Sequence, residues 1–289
     1  MLIRFEIPPR LAWLEGSAAG RSWLREIPHR VAECRARWGL ELDAPYEQSY
    51  VSIVFPATCT DGSRVVLKIQ FPHDESDHEH EALRIWNGRG SVRLLDHDAE
   101  HHALLLERCE PGAPLSTLKA PEALEQFVRL LPQLWVPAGT PFRLLADAAA
   151  TWIAHLPDIW KRAGRDFERR LLDLAIESLE LLRVTQGEQV LIDQDLHADN
   201  VLSARREPWL AIDPKPLVGE REFSLAPIIR GAELGFSRER VIQRLDFLTD
   251  RLGLDRERAR LWTMGQTLAW CEGEQPGRHI DVARWLADA

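Results

Sequence analysis

Asp195, Asn200 and Asp213 stand among apolar neighbours in VLIDQDLHADNVL and WLAID, where a polar side chain must find a partner or hold an ion. The spacing D-x-x-x-x-N, followed by a strand that ends in Asp, is an arrangement used for phosphoryl transfer. The first carboxylate accepts or orients the proton of an acceptor hydroxyl, and the amide and second carboxylate hold Mg²⁺ against phosphate oxygens. Mg²⁺ favours oxygen ligands and keeps several waters, so one carboxylate, one amide and phosphate oxygens suffice. A purely structural turn network would need all three placements to be coincidences. His197 reads as an orienting or packing residue rather than a second base. The run containing His73, His78 and His80 with Asp74, Glu75 and Asp77 has the spacing of no defined metal site and reads as a solvated loop.

The elements that must carry these residues are legible from periodicity. In YVSIVFPATCTDGSRVVLKIQ two β-branched runs flank Asp61-Gly62, a strong hairpin signal, so two antiparallel strands are expected. Pro56 removes a ladder donor, which predicts an edge strand or a bulge. EHEALRIW follows as a helix with Glu79, Ala82, Leu83 and Trp86 on one face and Glu81 off it. Ser91 to Asp96 and His102 to Arg108 read as two further strands, giving a small sheet with one helix. Beyond EPGAP the pattern is helical, over about 121–135, 142–162 and 166–183, with helices resuming from about Glu222. A strand-rich interruption at 190–214 carries the polar triad.

The chain is 289 residues long and 45% apolar, enough for one large domain or two modest lobes. Its net charge of -9 argues against a nucleic-acid backbone binder and a basic membrane surface. The opening MLIRFEIPPR is not a signal peptide, and no run reaches membrane-spanning length, so a cytoplasmic location is expected. Cys34, Cys59, Cys109 and Cys271 form no CxxC pair and read as reduced thiols filling space. Only four lysines, Lys68, Lys119, Lys161 and Lys215, stand against 32 arginines.

LIDQDLHADNVL (Leu191 to Leu202), WLAIDPKPLVGE (Trp209 to Glu220), VVLKI (Val65 to Ile69) and LLLERCEPG (Leu104 to Gly112) together resemble the aminoglycoside and hydroxyurea phosphotransferases, in that family's order. The resemblance implies an α+β, protein-kinase-like fold of two lobes. An ATP-binding lobe over 1–108 has a small antiparallel sheet plus helix. A mainly helical lobe over 109–289 carries the catalytic and metal loops, at 190–214, and the acceptor pocket. It implies that Asp195 is the catalytic base, Asn200 and Asp213 the Mg²⁺ ligands, and Lys68 the ATP-phosphate lysine paired with Glu79. Glu107 and Cys109 would offer backbone groups to the adenine. The glycine-free segment YEQSYVS would cover the phosphates with Ser49 and Ser52. Glu272, Glu274 and Asp281 in the last segment would face a basic acceptor.

Two departures stand out. Asp193-Gln194 replaces the His-Gly that usually precedes the catalytic Asp, and GEREFSLA puts Ser224 where the family often has a carboxylate that braces the catalytic loop. Glu220 or Glu222 is the candidate substitute. The expected activity is transfer of the ATP γ-phosphoryl group to a hydroxyl of a small molecule, an aminoglycoside of the streptomycin type or hydroxyurea. A kinase for a sugar, choline-like or ketosamine acceptor and a non-catalytic nucleotide-binding module are the alternatives, and oligomeric state is not readable.

Overall fold

Alternation along Ser52–Cys59 (β2) and Arg64–Gln70 (β3) makes the expected hairpin, with Val54 opposite Lys68 and Ser52 opposite Gln70. The structure is a computed structural model that describes residues 5–74, 76–162, 164, 166–272 and 276–289. It divides into two units, Met1–Gly112 and Ala113–Ala289.

In the first unit β2 and β3 join Leu40–Leu42 (β1), Leu94–Asp98 (β4) and Ala103–Glu107 (β5) in an antiparallel sheet of order β1-β2-β3-β5-β4. One face of the sheet, with Ile53, Phe55, Val65, Leu67, Ile69 and Leu105, packs against Trp23, Ile27, Val31 and Cys34 of a long helix. That helix, Ala18–Trp38 (α1), is additional to the single one read from the sequence, which is Glu79–Trp86 (α2). Its signals are present: Ser17 caps it by accepting the Gly20 N–H at 2.9 Å, and Gly39 ends it at φ 59°. The apolar residues recur at helical spacing. Pro28 interrupts the pattern, because a mid-helix proline removes a hydrogen bond at a cost of about 3 kcal/mol, and burial of the apolar face offsets it here.

Pro56 does not mark an edge, since β2 lies between β1 and β3. Its carbonyl accepts from Asp43 N–H at 2.9 Å, so its missing donor faces the side on which β1 has ended at Leu42.

Cys34, Asp98 and His101 come within metal-ligand distance of one another, a group not anticipated from the sequence. Ion pairs already use two of them, for Asp98 takes Arg37 at 3.1 Å and His101 lies against both Asp98 and Glu33. Burial pushes the Cys34 thiol up to about 12, so it stays an uncharged core group.

The second unit is mainly helical. Ala120–Leu134 (α3), Leu145–Arg162 (α4), Arg169–Val184 (α5), Ala226–Arg230 (α6), Arg238–Leu252 (α7), Arg256–Ala269 (α8) and Pro276–Ala287 (α9) surround two short sheets. Gln189–Asp193 (β6) pairs with Pro216–Glu220 (β9), and Val201–Ser203 (β7) with Trp209–Ala211 (β8). β9 lies beyond the expected strand-rich segment, since PLVGE reads as a strand only once β6 is there to pair with it. Among the described residues no helix is long and apolar enough to cross a membrane.

Candidate active site

In the first unit the pleat that sends Val65, Leu67 and Ile69 into the core sends Lys68 and Gln70 to the opposite face. Lys68 Nζ lies 2.6 Å from Glu79 Oε2, and Gln70 Nε2 donates to the same oxygen at 2.6 Å. Glu81 turns instead to His78 and His80. The pair is 5% and 1% exposed, and a buried ion pair is weak evidence for stability, because apolar residues of equal volume often do as well or better. A free-standing reason for keeping the charges is a charged ligand. Ser52 is buried opposite Gln70 on this same face, and Ser49 is half-buried in the turn before it. Glu107 ends β5 with its N–H donated to the Arg93 carbonyl at 2.9 Å, and Cys109 is half-buried two residues on.

In the second unit the loop after β6 is locked by its own backbone. The carbonyl of Asp195 accepts from His197 N–H at 2.9 Å and from Asn200 Nδ2 at 3.0 Å. With the amide nitrogen of Asn200 used in this way, its Oδ1 is the side-chain atom that can serve as an acceptor or ligand. Asp213 follows β8 with φ 52°, a left-handed conformation that Asp tolerates better than most residues. A carboxylate and an amide oxygen are the hard donors that Mg²⁺ prefers, so this donor set fits that ion. The carboxylate of Asp195 is flanked by two cations that sequence reasoning did not single out. Lys215 Nζ is 3.0 Å from Oδ2 and Arg230 Nη2 is 3.9 Å from Oδ1. Arg230 is itself seated over the Trp270 ring at 4.6 Å and donates to Gln266.

Asp193 is the frame for this loop. Its Oδ1 accepts the N–H of Asp195 and the N–H of Lys215, each at 3.0 Å, while Oδ2 is buried without a hydrogen-bond partner. Burial pushes this carboxyl up to about 8 against the pull of those two donors, and the nearby Asp195 and Asp213 add to the rise. The folded chain therefore keeps a proton that the unfolded chain releases between about pH 4 and about pH 8, and stability falls as pH rises through that window. Asp193→Asn keeps the accepting oxygen and removes the titration. Its melting temperature should match the parent near pH 4 and exceed it increasingly toward pH 8. The upper limit of the gap is roughly 5 kcal/mol at ~1.4 kcal/mol per pKa unit. Parallel melting curves across the window would show that Asp193 is ionised in the fold.

Neither expected substitute for the missing carboxylate at Ser224 reaches the catalytic loop. Glu220, 1% exposed, is drawn to α8, where it takes Arg258 at 2.8 Å and Trp262, and also holds Gly187 N–H at 3.0 Å. Glu222 accepts from Asp255 N–H. Ser224 is buried against Trp135 Nε1 at 3.1 Å. The brace comes from Glu233, whose Oε1 accepts the Ala198 N–H at 3.0 Å. Glu233 folds back over Gly231, where a Cβ would lie 2.6 Å from that same oxygen, so a larger residue there would push the bracing carboxylate aside.

A pocket of about 280 Å³ opens in front of Asp195, lined on its other sides by Asp199, Arg230, Glu233, Phe236 and Arg278 among others. Of the acidic wall expected near the C-terminus, the described members Glu272 and Asp281 do not line it. Glu272 is held by Arg162 at the end of α4 through two bonds of 2.6 and 2.8 Å, and Asp281 lies 3.6 Å from Arg284, three residues on in the same helix α9. Glu274 lies outside the described residues.

Residues 37–272 match the family described as aminoglycoside/hydroxyurea antibiotic resistance kinase. The chain belongs to that family. It is 41% identical to a hydroxyurea phosphotransferase of Kitasatospora aureofaciens over 97% of this chain and 86% of that protein. It is 39% identical to a streptomycin 6-kinase of Streptomyces glaucescens over 91% of this chain and 89% of that protein. The family's kinase-like α+β fold is also seen in the crystal structure of a thermostable mutant of aminoglycoside phosphotransferase APH(4)-Ia in ternary complex with ADP and hygromycin B. That structure has a TM-score of 0.56 at 15% identity and covers 89% of this chain and 95% of that one. Membership makes the chain a phosphotransferase enzyme, in agreement with the reading of its motifs. Lys215, Arg230, Glu233 and Gln70 are the site neighbours that the motifs did not point to. Two of them carried a signal: Lys215 lies inside WLAIDPKPLVGE and is one of only four lysines, and Gln70 stands at the period of two from Lys68.

Proposed function

We propose that this enzyme transfers the γ-phosphoryl group of Mg²⁺-ATP to a hydroxyl of a compact, uncharged acceptor such as hydroxyurea. The observation that carries the reading is Asp195: its carbonyl is tied to the side chain of Asn200, and the residue lines the pocket. Asp195 takes the acceptor's proton, and Lys68, held by Glu79, takes phosphate oxygens. Asn200 and Asp213 would hold Mg²⁺, which would supply charge neutralisation at the phosphates. Ser49 and Ser52 cover the phosphates, and backbone groups of Glu107 and Cys109 take the adenine.

The choice of acceptor rests on the pocket. About 280 Å³ is at the small end of ligand pockets, which run from about 300 to 1,000 Å³, and its wall mixes Arg230 and Arg278 with Asp195, Asp199 and Glu233 rather than presenting the one-sign acidic surface that a polycation would need. Hydroxyurea and streptomycin, the acceptors in the names of the two relatives above, differ in both size and charge. Turnover of each with ATP, followed by product mass at two ionic strengths, tests the reading. Hydroxyurea should be phosphorylated with the higher kcat/KM, and its KM should hardly move with salt, since there is no charge to screen. Preferential phosphorylation of streptomycin, with a KM that rises with salt, would overturn the compact neutral acceptor.

A further inference from the structure

Lys215 is set beside Asp195 by the same residues that set Asp195 itself. Its N–H donates to Asp193 Oδ1 at 3.0 Å, the oxygen that also receives Asp195 N–H, and its carbonyl accepts Gln194 N–H at 3.1 Å. Both side chains are 20% exposed, with Nζ 3.0 Å from Oδ2. Composition points the same way. With four lysines against 32 arginines, the chain uses arginine for its other buried cations, Arg244 and Arg260 among them. Lys119 is exposed and Lys161 sits in a surface pair 65% exposed. Lys68 and Lys215 alone of the four sit half-buried or deeper, each against a carboxylate of the candidate site. An ammonium is a compact charge with three rotatable donors, which can serve a carboxylate and a phosphoryl oxygen together. A guanidinium is a planar fork suited to a single bidentate partner.

We propose that Lys215 is a second catalytic group whose ammonium bridges Asp195 and the phosphoryl group in transit. The inference rests on the reading of Asp195 as base. The acceptor oxygen forms a bond to the γ-phosphorus as its proton passes to Asp195, and the bond from phosphorus to the β-phosphate oxygen breaks, its electron pair leaving with ADP. When Asp195 becomes neutral, the ammonium loses a charged partner, and the equatorial oxygens of the moving phosphoryl group take its place. The interaction is thus stronger in the transition state than in the ground state, the condition for acting on kcat rather than KM.

The experiment measures kcat and both KM values with Mg²⁺-ATP, using hydroxyurea and streptomycin as acceptors. Lys215→Met and Lys215→Cys should lower kcat by about 10²–10³-fold, the loss typical of one oxyanion donor, with both KM values within about twofold of the parent. Alkylating the Lys215→Cys protein with 2-bromoethylamine rebuilds a lysine-like ammonium and should recover at least about tenfold of that loss, which repair of packing alone would not do. Treated parent enzyme controls for Cys59 and Cys109, which are half-buried. Lys215→Arg should stay impaired. Full turnover by Lys215→Met, or no recovery on alkylation, overturns the proposal while Asp195→Asn remains inactive. Full turnover by Asp195→Asn, or no turnover by the parent on either acceptor, overturns the reading of the site and this inference with it.

Discussion

Asp195→Asn should turn over about 10²–10⁴-fold more slowly than the parent, with the KM for ATP nearly unchanged. The amide is isosteric but cannot take the acceptor's proton, and it no longer carries the charge that Lys215 meets at 3.0 Å. The loop should survive the change, because Asp195 holds it through its backbone N–H and carbonyl rather than through its carboxylate. Steady-state kinetics with a melting temperature close to the parent's would attribute the loss to chemistry. A variant that keeps the parent's kcat would remove Asp195 from the role of base.

Asp213→Asn should abolish transfer by about 10³-fold or more, and ATP affinity with Mg²⁺ present should fall to the value without it. Asparagine is the informative replacement, since it tolerates the left-handed backbone at φ 52° as aspartate does, whereas alanine would add strain of about 1 kcal/mol or more. With the carboxylate gone, only neutral oxygens remain to hold a divalent ion, and Asn200 alone brings no charge. ATP titrations with and without Mg²⁺ decide the matter. Magnesium-dependent affinity that survives in the variant would place the ion elsewhere.

Local chemistry was enough to read the hairpin around Asp61-Gly62, the helix at Glu79–Trp86 and the polar triad in apolar surroundings, because each depends on residues close in sequence. Helical periodicity also puts Glu79, and not Glu81, on the face of Ala82, Leu83 and Trp86, while its pairing with Lys68 was implied by the family resemblance. Helix α1 carried its caps and spacing openly, but Pro28 broke the pattern, and only packing against the sheet overrides that local penalty. What the sequence by itself determined was therefore the family, the fold class and the triad. Tertiary structure alone decided which charges meet. Glu220 closes the motif and Glu233 lies 13 residues beyond it, yet one ends on α8 and the other on the Ala198 N–H, 35 positions back along the chain. Lys215 reaches Asp195 because β9 returns beside β6, and Arg162 from the distant α4 takes up Glu272. Charge pairing acts over a few ångströms in space irrespective of separation along the chain, so a linear pattern reveals which groups can pair and folding selects the partners.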